Sequence, residues 1–250
     1  MKKLVVLVPL YKSSLDELER YSLDHSLAAL RGRQVIFIGP KGLNRQFYSE
    51  HYGDIPFRAF AAPGFESVQE YNRMLLSPAF YERFLGYKFV LILQTDAIIL
   101  RDDLDFWCAQ PFDYVGAPWP DGYELFMNAG LFEGHYGRRV KVGVGNGGLS
   151  LRRVRKCISL LKEFAIALKV FDRTGSSEDL FFSVMGSLSN DFVIPNEITA
   201  SRFALELEPA YYFHVNGGQT PMGGHAWWQH DPEFWMAHLD GVPPIPQSLS

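Results

Sequence analysis

Five consecutive apolar residues, Phe89-Val90-Leu91-Ile92-Leu93, are followed by Gln94-Thr95-Asp96 and then by a second apolar run, Ala97 to Leu100. A strand that is apolar on both faces belongs in the middle of a sheet covered on both sides. Asp96 between two such runs would be costly to bury as an unpaired ion, so it requires a cation, a dense hydrogen-bond shell or an exposed turn. Ligands of open α/β sheets bind just outside the carboxyl ends of the strands, which is where this order puts Gln94, Thr95 and Asp96. A carboxylate there can coordinate Mg²⁺ or Mn²⁺, and the metal can neutralise a diphosphate leaving group. The plain alternative is an aspartate that starts a turn between two strands.

The rest of the chain fits such a sheet. Leu4 to Val8 reads as a buried strand closed by Pro9, and Leu15, Leu18, Leu23, Leu27 and Leu30 then recur at roughly helical spacing. Val35-Ile36-Phe37-Ile38 and Phe57-Arg58-Ala59-Phe60 read as further strands, Leu149-Ser150-Leu151 as an alternating one, and about Val154 to Val170 as a helix. Strand alternating with helix implies a mixed, mainly parallel sheet flanked by helices, and from Pro209 the chain becomes rich in Gly, Pro, Trp and His, as an irregular segment folded over a site would be. No linker or repeat interrupts the 250 residues, so residues 1–250 are read as one domain, with 47% hydrophobic residues to fill its core.

Charge and cysteine content exclude several classes. A formal net charge of −4 gives no basic field for nucleic acid, so an anionic ligand must be held by local groups. The two cysteines, Cys108 and Cys157, form no disulfide framework or metal pattern and read as packing residues. The apolar start is too short for a signal peptide, and no stretch reaches the roughly 20 apolar residues that cross a bilayer. A soluble cytoplasmic protein is expected, with peripheral membrane contact as the closest approach to a lipid surface.

Three more constellations carry chemistry. Ser176-Ser177-Glu178-Asp179 by itself reads first as a helix start with acids complementing the dipole, and second as a carboxylate pair in which one acid orients an acceptor hydroxyl while the other removes its proton. Gly143 to Gly148 satisfies G-x-G-x-x-G formally, but it lies mid-chain and precedes a strand pattern. It is better read as a wall of bare backbone that lets a ligand approach Gly147 and Gly148. In Gly224-His225-Ala226-Trp227-Trp228 the imidazole can complete an oxygen-rich metal shell, and the indoles can stack on a sugar or pack in the core.

These features occur together in an order that resembles a bacterial and fungal family catalogued as a domain of unknown function with glycosyltransferase character. The matching segments are Tyr71 to Leu76, Val90 to Ala97, Asp113 to Trp119, Gly145 to Arg152, Glu178-Asp179 with Phe181-Phe182-Ser183, and Gly224 to Trp228. More distantly the order is similar to that of inverting GT-A enzymes such as the β-1,4-galactosyltransferases. The resemblance implies a GT-A-like, Rossmann-like fold and transfer of a sugar from a nucleotide-sugar, UDP by analogy, to a glycan or other hydroxyl acceptor. It makes Asp96 the last aspartate of D-x-D and a metal ligand, His225 the late metal-binding histidine, and Asp179, with Glu178, the catalytic acid pair. Nucleotide-sugar contacts are implied for Tyr11, Asn72, Gln94, Thr95, Asp96, Gly147 and Gly148, and acceptor contacts for Trp119, Trp227 and Trp228. Gln94 stands where the first aspartate of D-x-D is expected, so the divalent cation, Mn²⁺ or Mg²⁺, is either weakly held or replaced by basic side chains. Two other functions remain open at this point: a nucleotidyltransferase acting on a sugar phosphate, and a glycan-binding module that has lost the reaction.

Overall fold

A computed structural model of the chain describes residues 1–53, 55–127 and 138–245. Its strands are β1 (Lys2–Pro9), β2 (Val35–Pro40), β3 (Phe57–Phe60), β4 (Tyr87–Leu93), β5 (Ala97–Ile99), β6 (Tyr114–Val115), β7 (Pro118–Met127), β8 (Arg138–Val144), β9 (Leu149–Arg153), β10 (Ala204–Leu205) and β11 (Gly223–His225). Six form one sheet in the order β3-β2-β1-β4-β9-β6. Neighbours from β3 to β4 are parallel, and β9 runs antiparallel to both β4 and β6. The sheet is therefore mixed and mainly parallel, and β4 lies at its centre with Phe89 to Leu93 almost wholly buried.

Alternation of side chains along the strands divides the core between the two faces. Val5, Leu7, Val90 and Ile92 pack on one face under the helices Val154–Glu163 and Glu178–Leu188, and Val6, Val8, Leu91 and Leu93 pack on the other with Leu23, Leu30 and Trp107. Cys108 and Cys157 are free and buried among these apolar groups. The helix expected over Val154 to Val170 is two helices, Val154–Glu163 and Ala165–Thr174, because Phe164 leaves helical geometry with φ −103° and ψ 34°. The strand after the glycine run is β9, so the dinucleotide fingerprint lacks the helix it requires.

The C-terminal segment is largely irregular but contributes β11, which lies between β10 and β5. It also supplies most of a third core cluster, in which Trp227, Trp228, Trp235 and Leu239 meet Leu18, Ile98, Leu205 and Tyr212. Among the described residues no helix is long and apolar enough to cross a membrane.

Candidate functional site

β1 and β4 are parallel neighbours, so their carboxyl ends open on the same edge of the sheet. Beyond that edge lies a cavity of about 510 Å³. Ten of the residues singled out in the sequence line it: Tyr11, Asn72, Gln94, Thr95, Asp96, Gly147, Gly148, Glu178, Asp179 and His225. They are brought together from several separate elements. Tyr11 follows β1, and Asn72 lies on the helix Val68–Leu75, whose N-cap Ser67 accepts a hydrogen bond from the Glu70 amide at 3.1 Å. Glu178 and Asp179 open the helix Glu178–Leu188.

His225 arrives through sheet pairing. β11 runs antiparallel to β5 with His225 opposite Ala97, which sets the imidazole beside the end of β4. Its Nε2 lies 3.3 Å from Asp96 Oδ1 and 3.1 Å from Gln94 Oε1, while Nδ1 bonds Glu206 Oε2 at 2.7 Å. Burial disfavours a charged imidazole here, but the carboxylates of Asp96 and Glu206 outweigh it and raise the His225 pKa well above the ordinary histidine value. Burial would likewise raise the Asp96 carboxyl, and the charge on His225 outweighs that and holds it below its ordinary value.

One imidazole nitrogen, one carboxylate and one amide oxygen thus converge on the cavity. Without a cation His225 is held protonated, so this donor set fits a divalent cation only if binding releases the Nε2 proton, leaving the remaining positions for water or phosphate oxygens. Glu206 holds the far ring nitrogen of His225, as carboxylates commonly do for metal-binding histidines. The set is sparse: among the described residues no group of three or more His, Cys, Asp or Glu is disposed to hold a metal ion, and the third donor here is the amide oxygen of Gln94.

The acidic pair divides. The Asp179 carboxylate is half-buried at the cavity wall, where it accepts from the Gly147 amide at 3.3 Å and from the Leu180 amide at 2.7 Å. Glu178 is only 3% exposed, and its Oε1 accepts from Arg152 Nη2 at 2.8 Å. Burial pushes the Glu178 carboxyl up, Arg152 opposes the rise, and the charge of Asp179 adds to it. The two adjacent acids therefore do different things. Asp179 faces the ligand space, whereas Glu178 answers a buried guanidinium.

Gly147 and Gly148 line the cavity, and protein occupies the space of their missing side chains: a Cβ on Gly147 would lie 2.2 Å from Glu178 Oε1, and one on Gly148 only 2.0 Å from His225 Nε2. One expectation is corrected by packing. Trp227 and Trp228 do not reach the cavity. Trp227 is completely buried and donates its indole N–H to Ser22 Oγ at 2.8 Å, and Trp228 packs beside it, so neither face is free for a sugar. Trp119 lies elsewhere, with Tyr123, His230 and Asp231 around a second cavity of about 620 Å³. Thr95 is spoken for as well, since its hydroxyl donates to Glu19 Oε1 at 2.9 Å in the capping box of the helix Glu17–Ala29.

Sequence reasoning assigned no role to Tyr71, Arg152 or Glu206. The last two carried the signal that exposed Asp96, a charge inside an apolar alternation: Leu151-Arg152 in β9 and Leu205-Glu206-Leu207 after β10. Tyr71 carried none. Backbone strain also marks the place. Asn146 lines the cavity with φ 56° and Ala226 follows His225 with φ 46°, left-handed values uncommon outside glycine.

Gly148→Ala tests this packing. The new methyl would collide with a ring held from behind by Glu206, so His225 is expected to leave Asp96, with a stability loss of about 1–3 kcal/mol from overpacking. Thermal unfolding and a structure of the variant check it; an unmoved His225 at wild-type stability would refute the close approach.

A mixed sheet of this order, with a ligand cavity at the carboxyl ends of β1 and β4, is the α/β fold of the GT-A glycosyltransferases. The chain is similar to galactosyltransferase LgtC, solved in complex with donor and acceptor sugar analogs, at 14% identity and TM-score 0.55 over 98% of both chains. An active-site mutant of LgtC gives the same values. The glycosyltransferase GlyE of Streptococcus pneumoniae TIGR4 is similar over 90% of this chain and 54% of its own, at 15% identity and TM-score 0.46. The chain itself belongs to the family described as "Protein of unknown function (DUF5672)", whose model matches residues 54–225. No curated protein sequence matches it significantly.

Proposed function

We propose that the chain acts as one glycosyltransferase domain that moves a sugar from a nucleotide-sugar, UDP-linked, to a hydroxyl of a glycan or similar acceptor. The observation that supports this reading is the convergence of Asp96, Asp179 and His225 on a single cavity at the carboxyl ends of β1 and β4. In this reading Asp179 accepts the proton of the acceptor hydroxyl. The oxygen attacks the anomeric carbon, the bond from that carbon to the diphosphate breaks with its electron pair leaving on the phosphate oxygen, and configuration inverts. Tyr11, just after β1, and Asn72 hold the nucleotide. Asp96, His225 and Gln94 would hold Mn²⁺ or Mg²⁺, which when bound neutralises the charge on the diphosphate. Positioning both substrates in one closed site supplies much of the rate.

The test is a panel of nucleotide-sugars and nucleoside diphosphates, with and without Mn²⁺, read by thermal shift and then by product analysis. A ligand that binds only the folded chain raises its apparent stability, by about 2.7 kcal/mol at 100 times its Kd. A nucleoside diphosphate is the expected product. Pyrophosphate release would identify a nucleotidyltransferase instead, and carbohydrate binding without any nucleotide affinity would identify a binding module. Retention of configuration in the product would remove the single displacement while leaving the transferase.

A further inference from the structure

Trp119 lies near the start of β7, and its six-membered ring closes on Gly145, where a Cβ would sit 1.9 Å from Cη2. The residue is only 7% exposed, and its indole N–H has no hydrogen-bond partner among the described residues, yet it is not sealed from water as the N–H of Trp235 is. Buried indole N–H groups usually find a partner. This one is left at the second cavity, which Trp119 lines. Beside it the ring of Tyr123, 49% exposed, stands edge-on at 4.6 Å between centroids. Three carboxylates, Asp121, Glu208 and Asp231, line the same cavity with His230, and the described residues around it include no lysine or arginine. This cavity flanks the one that receives Asp179. Gly145, under Trp119, is two residues from Gly147, whose amide Asp179 accepts, and two residues of chain span at most about 7 Å. On another side the Glu206 carboxylate stands between the two cavities, bonding His225 Nδ1 at 2.7 Å and lying 3.7 Å from His230 Nε2.

We infer that this second cavity is the subsite for the non-reacting part of the acceptor, and that the acceptor is an uncharged or amine-bearing oligosaccharide. The inference rests on the glycosyltransferase reading above and names the acceptor class which that reading leaves open. A saccharide offers hydroxyl groups that both donate and accept, together with an apolar face of C–H groups. Its hydroxyls donate to the carboxylates and accept from the Trp119 N–H, and its C–H face lies on the half-exposed ring of Tyr123. Charge sets the class. Three carboxylates without an arginine or lysine repel a phosphorylated or otherwise acidic glycan and attract an ammonium group. The wall that carries them is conformationally restricted as well. Glu208 and Asp231 hold left-handed φ values of 48° and 51°, each directly before a proline that opens a helix.

A glycan array carrying neutral, amine-bearing, sialylated and phosphorylated oligosaccharides, probed with the labelled full chain, tests the subsite, and calorimetry then measures the best array ligand beside UDP in Mn²⁺. Neutral or amine-bearing glycans are expected to be retained and the acidic ones not. Tyr123→Ala and Asp121→Asn are each expected to weaken the best glycan about 10-fold while leaving UDP within about two-fold, the size of one lost aromatic contact or charged hydrogen bond. Asp121→Asn keeps the test independent of folding: the carboxylate is exposed and has no partner among the described residues, so the unliganded melting temperature is expected to stay level. Retention of phosphorylated glycans alone, a glycan affinity that neither substitution moves, or UDP binding with no glycan retained overturns the subsite and leaves the glycosyltransferase reading standing. Glycan binding that both substitutions weaken, in a chain with no affinity for UDP or any other nucleotide, keeps the saccharide site and overturns the transferase. Failure to bind either class of ligand overturns both.

Discussion

Asp179→Asn is expected to lower turnover by about 10²–10⁴-fold, the usual contribution of a positioned general base. The amide has nearly the shape of the carboxylate but cannot take a proton. Asp179 is half-buried at a helix start and accepts two backbone amides, from Gly147 and Leu180, so one of these bonds is weakened in the variant. The helix itself is secured by the packing of Phe181 and Phe182, both completely buried, and the fold is expected to persist. Loss of a contact made only in the transition state lowers kcat and kcat/KM together, which separates a base from a substrate-binding group. Nucleoside diphosphate release under saturating nucleotide-sugar measures it. Full turnover by the variant would remove the main support for a single displacement.

Arg152→Met is expected to destabilise the chain by about 3–5 kcal/mol, the cost of leaving one partner of a buried ion pair uncompensated. Glu178 would then lie beneath Gly147 without its counter-ion, and Tyr81 and Ser150 would lose their bonds to the guanidinium. The loss carries a pH signature. Burial already raises the Glu178 pKa against the opposing charge of Arg152, and removing that charge raises it further. A carboxyl with a folded pKa above its unfolded value binds more protons when folded, so the stability it contributes is present below the unfolded pKa and is lost as pH climbs through the folded one. The deficit of the variant is therefore expected to be smaller near about pH 4 than near about pH 8. Adding Glu178→Leu removes the stranded charge and should restore much of the stability, since buried ion pairs can be replaced by apolar groups at little net cost. Urea unfolding of the single and double variants measures both effects; a deficit independent of pH and unrescued by the second substitution would show that the pair is not the source.

The two acids next to one another show where sequence reasoning stops. A helix start with Glu178 and Asp179 was legible from residue types, but successive residues on a helix point about 100° apart, and no local pattern says which is left free of a protein counter-ion. Arg152 decides it, because a fully buried guanidinium must have a counter-ion. What comes close to the glycines was not legible for a related reason. Missing side chains signal that something comes close, and here the close neighbours are Glu178 and His225, brought in from 31 and 77 positions away. Trp227 follows His225 by two positions, yet the chain turns through a left-handed Ala226 and buries it in a core with Tyr21 and Ser22.

Periodicity and the position of one aspartate were enough to establish the strand–helix alternation, the buried central strand and the acid at its tip. Those properties are local, since the apolar pattern of a strand is written in its own consecutive residues. Convergence was decided only in three dimensions. Gln94 and His225 lie 131 positions apart and meet because β11 pairs with β5 in one register, and a shift of one residue would have turned the imidazole to the other face. Pairing between distant strands depends on how whole faces pack, which no stretch of sequence contains by itself.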